Sequence, residues 1–171
     1  TIGTFDGVHI GHRKILEKVI SEGRASGLQS TLLTFFPHPR MVLQKDNSIK
    51  LLNTIEEKSE ILRAMGLDML VVHPFTKNFS RLSATEFVRD MLVETLRVKK
   101  VIIGYDHRFG RNRNANINDL RSFGNLFDFE VAEIPAQEID AVSVSSTKIR
   151  KALEVGDLET ATAYLGYPYM L

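Results

Sequence analysis

Two histidines three residues apart, His9 and His12, lie in the segment Thr4-Phe5-Asp6-Gly7-Val8-His9-Ile10-Gly11-His12. Gly7 and Gly11 have no Cβ, so the backbone there can turn tightly and let a ligand approach closely. The spacing of Ile15, Leu16, Val19 and Ile20 predicts a helix that starts beside these histidines. Rings three apart at a helix start converge on whatever occupies its N-terminus. Free N–H groups and the helix dipole favour an anion at that position. A metal pair is the weaker reading, because no third His and no Cys accompanies the two histidines, although Asp6 is near.

Three further segments carry residue types suited to a flat, phosphorylated ligand. In Thr34-Phe35-Phe36-Pro37-His38-Pro39-Arg40 the two prolines stiffen a loop and hold His38 and the aromatics in place. A rigid apolar wall of this kind suits a flat ring system, while strand alternation can instead turn Phe35 into the core. Gly104-Tyr105-Asp106-His107-Arg108-Phe109-Gly110 opens a loop that adds Arg111 and Arg113, with no acidic residue between Asp106 and Asp119. Guanidinium groups suit phosphate, Phe109 suits stacking, and Asp106 can accept hydrogen bonds from a ring. A solvated charged loop is the plain alternative, above all for Arg113. Val144-Ser145-Ser146-Thr147-Lys148-Ile149-Arg150 predicts a helix capped by Ser145 or Ser146 and running to about Val155. Cations near a helix N-terminus are unfavourable by about 0.3–1 kcal/mol each, and a bound anion removes that conflict at Lys148 and Arg150.

These residues need a scaffold to bring them together. Apolar runs at Thr31 to Phe36, Met69 to His73, Val101 to Ile103 and Phe129 to Ile134 predict short buried strands. Helical spacing lies between them, through Ile15–Ile20, Ile55–Met65 and Phe87–Leu92, and again from Asn118-Asp119 through Leu120, Phe123 and Phe127. Gly27 and Gly66 stand where helix C-terminal caps belong, and a last short helix is expected from Leu158 to Leu165. Alternating strands and helices predict an α/β fold, a Rossmann-like doubly wound parallel sheet covered on both faces. Ligands bind such a sheet beyond the carboxyl ends of its strands, which is where the motifs fall.

The 171 residues suffice for one core; 43% are apolar and 25% charged, as in ordinary globular chains. The 22 Lys and Arg nearly balance 21 Asp and Glu. That balance gives no general field for nucleic acid or an anionic membrane, so any anion site is local. No cysteine is present, which excludes disulfides and thiolate metal sites and fits the cytoplasm. No apolar run reaches the roughly 20 residues of a membrane span. Thr1 stands almost at the first motif, so the opening strand is expected to begin before it. The aromatic stretch Tyr167-Pro168-Tyr169-Met170-Leu171 is expected to be followed by more chain.

His9-x-Gly11-His12 resembles the signature of the nucleotidyltransferase superfamily, to which class I aminoacyl-tRNA synthetases also belong and in which these histidines bind the triphosphate of ATP. With the other three segments in this order, and the weaker stretch Phe79-Ser80-x-Leu82-Ser83-Ala84-x-Glu86-Phe87, nearly the whole chain resembles the FMN adenylyltransferase module of bacterial bifunctional riboflavin kinase/FAD synthetases. The resemblance implies a nucleotidyltransferase-type sheet, ATP and FMN as substrates, and Mg²⁺ held mainly by ATP phosphates with Asp6 as a further candidate ligand. It implies catalytic roles for His9, His12, Ser146, Thr147 and Arg150. Thr4, Phe5, Asp6, Gly7, Gly11 and Ser145 join them at ATP. Phe36, Pro37, His38 and Pro39 are implied at the flavin, together with Asp106, Arg108 and Phe109. The sequence departs from the family at His107, where an aromatic is usual, and at Asn114-Ala115-Asn116, which replaces a Gly-rich continuation.

Residues 1–155 are accordingly read as the transferase domain, its first strand cut short. Residues 156–171 are read as a short helix and the start of a connection to a covalently linked riboflavin kinase domain. Three alternatives remain. One is another nucleotidyltransferase, acting for instance on pantetheine phosphate or nicotinate mononucleotide; the Pro37-His38-Pro39 loop and the Asp106–Gly110 segment weigh against it. A second is a nucleotide-binding regulatory module without turnover, disfavoured by intact His9, His12 and Arg150. The third is a tRNA synthetase fragment, disfavoured by the net charge of +1.

Overall fold

Thr31–Phe36 (β1) and Met69–Pro74 (β2) pair in parallel with Leu33 opposite Val71. A second parallel pair joins Lys100–Gly104 (β3) to Glu130–Ile134 (β4), with Ile102 opposite Ala132. The structure is a computed structural model that describes residues 1–44, 48–135 and 144–170. Thr1–Gly3 runs alongside β1: the Leu33 N–H donates to Thr1 O at 2.9 Å and the Gly3 N–H to Leu33 O at 3.0 Å. A cleft of about 380 Å³, lined in part by Ile2, Leu33, Leu92, Val101 and Ile102, separates this edge from β3. The expected alternation of parallel strands and helices is present, and among the described residues the strands bond as two pairs.

Successive strand residues point to opposite faces, and here both faces are covered. Leu32 packs with Leu16 of α1 (Ile10–Ser26) and Leu62 of α3 (Ile55–Met65). Leu33 turns the other way, to Phe87, Val88, Leu92 and Leu120. In β3, Val101 and Ile103 join that second cluster, while Ile102 meets Val19 of α1. Burial on both faces explains why these strands are apolar runs and not alternating ones.

The helices start where capping chemistry dictates. Thr54 caps α3 and exchanges bonds with Glu57, and Gly66 ends it. Ser83 caps α4 (Ala84–Glu86), which continues into a π-wound stretch over Phe87–Thr95, where the Leu96 N–H reaches Met91 O at 3.0 Å. Helix α5 (Ile117–Phe127) starts one residue before the Asn118-Asp119 pair read as its opening. Asn116 is the cap: its Oδ1 accepts from the Asn118 N–H at 2.8 Å while its own N–H donates to Asp119. Ser145, the first of the two candidate caps, starts α6 (Ser146–Glu154).

Helix α7 (Leu158–Leu165) lies against α6, where Leu165, Ala161, Ile149 and Ala152 close a small core around Leu52. Leu171, the last residue of the aromatic stretch, lies outside the described residues. A short helix α2 (Pro39–Leu43) follows β1. The end of β1, the turn before α1 and the start of α6 together make the floor of the site.

Candidate active site

The turn from Thr4 to His9 is forced into an uncommon backbone path. Phe5 and Val8 have φ of 45° and 36°, and Gly7 has 81°. Positive φ is rare for a β-branched residue and costs of order 1–3 kcal/mol, so the surroundings must impose it. They do so by burial: Val8 is fully enclosed and Phe5 nearly so, both packed with Leu16, Leu32 and Leu62. At Gly7 a Cβ would stand 2.6 Å from Leu52 Cδ1, so only glycine fits. Thr4 O is held by two donors, Lys58 Nζ at 2.7 Å and Thr34 Oγ1 at 3.2 Å.

His9 is the N-cap of α1, and its Nδ1 accepts from the His12 N–H at 3.4 Å. The proton of a neutral His9 is therefore on Nε2. The two rings stack at 3.6 Å with 17° between planes, and Phe5 lies 4.7 Å from His12 on centroids. Burial pushes His9 down to about 4, with the Asp6 charge opposing it in part. His12 is pushed well below the usual imidazole range by burial, then by the charges of His9 and Lys58. Both rings are thus neutral at physiological pH. His12 Nδ1 is buried with no partner, a polar atom left for a ligand to satisfy. The first amides of α1 have no carbonyl within the helix to bond, so they face the same space.

Asp6 ties the start of α6 to this turn. Its Oδ1 accepts the Leu52 N–H at 2.9 Å, its Oδ2 accepts from Arg150 Nη1, and its carbonyl accepts from Ser146 Oγ at 2.9 Å. Two helix N-termini, those of α1 and α6, therefore meet at one place. Lys58, a buried ammonium lowered from its usual value by desolvation and opposed by Asp6, supplies a second cation beside the carboxylate. Two cations to one carboxylate leave the site ready for an anion. A metal held by protein side chains fits poorly: both Asp6 oxygens are engaged, and among the described residues no three His, Asp or Glu are grouped to hold a cation.

Beyond the turn, the Phe36–Pro37 peptide is cis and Phe36 is 48% exposed at the end of β1. His38 caps α2, its Nδ1 accepting the Arg40 N–H at 3.2 Å, and burial lowers its pKa. A narrow crevice between this loop and the turn is lined by Thr4, Asp6, Phe36, His38, Asn53 and Lys58. Phe35 takes the core alternative, packing 5.6 Å from both Phe75 and Phe79. Asp106 and Arg108 are exposed on the turn after β3.

Phe109 is not open for stacking. It is 7% exposed, between Phe87 at 6.0 Å and Phe123 at 6.5 Å, because the chain folds back through paired bonds between Phe109 and Ala115. His107 packs as an aromatic ring: it lies 24° from the plane of Phe109 at 6.3 Å, and burial lowers its pKa to about 4.

Comparison with known proteins bears on this geometry. The profile of the family described as FAD synthetase matches residues 1–148. The chain belongs to the FAD synthetase family. Among its curated relatives, the bifunctional riboflavin kinase/FMN adenylyltransferase of Listeria monocytogenes is 38% identical over 169 residues, covering 98% of this chain and 53% of that protein. The protein of the same name from Buchnera aphidicola subsp. Schizaphis graminum is 37% identical, covering 100% of this chain and 55% of its own length. That of Escherichia coli K12 is 34% identical at the same two coverages, 100% and 55%. The chain thus spans about half the length of these relatives. A solved structure described as a macrolide-efflux protein from Streptococcus pneumoniae superposes with a TM-score of 0.85 at 28% identity, covering 98% of this chain and 55% of that one. Among the described residues of this FAD synthetase family member, no helix is long and apolar enough to cross a membrane.

Three residues at the site were not singled out from the sequence. Lys58 had a legible signal: it falls in the apolar stripe of α3 with Ile55, Ile61, Leu62 and Met65, where a charged residue needs a buried partner. Asn53 and Tyr167 had none, because they meet the turn only through the tertiary fold; the Tyr167 hydroxyl lies 2.7 Å from Gly7 O and 3.2 Å from the Asn53 side chain.

Proposed function

We propose that this chain transfers the AMP part of ATP to FMN, giving FAD and pyrophosphate. The observation that carries the proposal is the meeting of the α1 and α6 N-termini with Lys58 and Arg150 around Asp6, next to the exposed Phe36. An oxygen of the FMN phosphate attacks the α-phosphorus of ATP, and the bond from that phosphorus to the leaving pyrophosphate breaks. A phosphate monoester has a second pKa of about 6, so the nucleophile is ionised at neutral pH and needs no general base. Catalysis then consists of holding the phosphates in line and stabilising the charge that grows on the pyrophosphate.

In this reading the phosphates lie on the first amides of α1, with N–H donors from neutral His9 and His12. Ser146 and Thr147 supply hydroxyls and amides from α6, with Ser145 capping that helix. Arg150 has five donors in a planar fork, and those not facing Asp6 are available to phosphate. Thr4, Phe5, Asp6, Gly7 and Gly11 form the wall of the turn. Magnesium enters as MgATP, coordinated by phosphate oxygens and water. Phe36, Pro37, His38 and Pro39 line the flavin, Asp106 and Arg108 reach it from the next loop, and Phe109 supports that loop from the core.

The same reading treats the two parallel pairs as parts of one doubly wound sheet of the nucleotidyltransferase type. It assigns residues 1–155 to the transferase and 156–171 to the connection. A riboflavin kinase region in the same polypeptide and a cytoplasmic location belong to it as well; relatives named for both activities are about twice this length.

The test is chromatography of the products after the protein is mixed with FMN, ATP and Mg²⁺. FAD and pyrophosphate in equal amounts are expected. AMP transfer to nicotinate mononucleotide or pantetheine phosphate in place of FMN would reassign the acceptor, and no transfer with any divalent metal would sink the reading.

A further inference from the structure

The far end of the chain closes onto the turn before α1. Gly166 ends α7 with φ of 77°, and a Cβ there would stand 2.8 Å from Ile10 Cγ2. The end of α7 therefore rests on the first residue of α1. This contact brings the half-buried Tyr167 beneath the turn, where its hydroxyl donates to Gly7 O at 2.7 Å. The Arg13 guanidinium lies 5.3 Å from the centre of the same ring, and its Nε donates to Val8 O at 3.4 Å. Tyr167 and Arg13 thus grip two consecutive carbonyls.

Those carbonyls belong to residues with positive φ, and their orientation has a consequence. A trans peptide is planar with C=O and N–H pointing in opposite directions. Holding Gly7 O and Val8 O on the Tyr167 side turns the amides of Val8 and His9 the other way. The Val8 amide closes the turn on Phe5 O at 3.1 Å, and the His9 amide belongs to the cap of α1. The two bonds thus add to burial in holding the path that ends at the His9 cap.

Asn53 completes the arrangement. The Tyr167 hydroxyl has one hydrogen, and the shorter bond, to Gly7 O, takes it. Asn53 lies 3.2 Å from the hydroxyl oxygen, and its Nδ2 is otherwise buried without a partner. Turning the amide over hands that N–H to the hydroxyl oxygen and satisfies both groups. Burial raises the Tyr167 pKa, so the hydroxyl stays a donor.

We infer that Tyr167 is a positioning residue for ATP, acting through Gly7 O on the turn that carries His9. The inference rests on the assignment of that turn to the ATP phosphates. The test compares Tyr167→Phe with wild type; phenylalanine keeps the ring under Arg13 and removes only the hydroxyl. The kcat/KM for ATP is expected to fall about fivefold, the scale of one net hydrogen bond, with KM for FMN unchanged and only a modest fall in Tm. A parallel calorimetric titration with MgATP alone is expected to show a weaker Kd by a similar factor. Equal loss for both substrates together with a large fall in Tm would overturn the inference in favour of a structural role, and unchanged ATP parameters would overturn it outright. If the wild type forms no FAD, the transferase reading fails by itself. The MgATP titration still decides Tyr167: equal affinity of variant and wild type removes the positioning role.

Discussion

The Arg150 guanidinium lies 2.5 Å from an oxygen of the Asp6 carboxylate, and that carboxylate is only 5% exposed. With Lys58 close by, Asp6 is a negative charge between two cations. Replacing Asp6 by Ala leaves Arg150 and Lys58 facing each other without it and frees the Leu52 N–H. Removal of one partner of a buried pair costs about 3–5 kcal/mol. We expect a loss of that order in urea unfolding, with a smaller loss for Asp6→Asn, which still accepts the Leu52 N–H. An Asp6→Asn variant as stable as the wild type would show that the charge contributes nothing.

His12 is the group whose removal should separate turnover from binding. A donor to charge that grows in the transition state is worth roughly 10²–10³ in turnover, and His12→Ala is expected to lose that much. FMN affinity should be unchanged, since Phe36 and His38 lie on another loop. A modest fall in Tm is expected as well, because the ring stacks on His9 and lies against Phe5. Near-normal turnover would remove His12 from the mechanism.

Phe36 and Phe109 should behave oppositely. Phe36→Ala is expected to weaken FMN binding by about 0.5–1.5 kcal/mol beyond the lost contact area, with little change in Tm. Phe109→Ala removes a ring from the core and is expected to cost about 3–5 kcal/mol of stability. Calorimetric FMN titration and thermal unfolding of both variants check the pair; a reversed pattern would place the flavin against Phe109.

His107 gives a pH-dependent prediction. It titrates at about 4 in the fold and at about 6.5 in an unfolded chain. Its neutral form contributes stability that is complete above pH 6.5 and is lost as pH falls toward 4, where the unfolded state binds the proton first. Within that window the contribution changes by about 1.4 kcal/mol per pH unit. His107→Phe removes the titration, and with it the buried Nε2 that lacks a partner, so the variant should be the more stable form at pH 7 by about 1 kcal/mol. Unfolding free energies at pH 7 and pH 5 check this; an unaltered difference between the two pH values would count against it.

What the sequence made legible was local. The strand Thr31–Phe36 and the helix Leu158–Leu165 were read to the residue, since apolar periodicity and the turn chemistry around them are carried by neighbouring residues. The convergence of His9 and His12 followed from helical spacing alone. Phe109 was read as an open ring, because loop composition does not reveal that the Phe109–Ala115 bridge folds the ring inward. Arg150 was read as a phosphate-binding residue; its bond to Asp6 is a contact that no window of sequence contains. Lys58 makes a tertiary contact that does have a local signature, a charge in an apolar stripe.

The bonds that set the turn before α1 join residues far apart in the chain: Ser146 and Arg150 reach Asp6 across 140 and 144 positions, and Tyr167 reaches Gly7 across 160. An earlier segment is therefore completed by segments made much later. During synthesis β1, α3 and β2 can assemble from nearby contacts, while the His9 turn must wait for α6 and α7 to be made and folded back. Contacts of such long separation are slow to close. Activity should therefore appear late in refolding, after most secondary structure, and fragments ending before Tyr167 should acquire a folded core well before they acquire a competent ATP site.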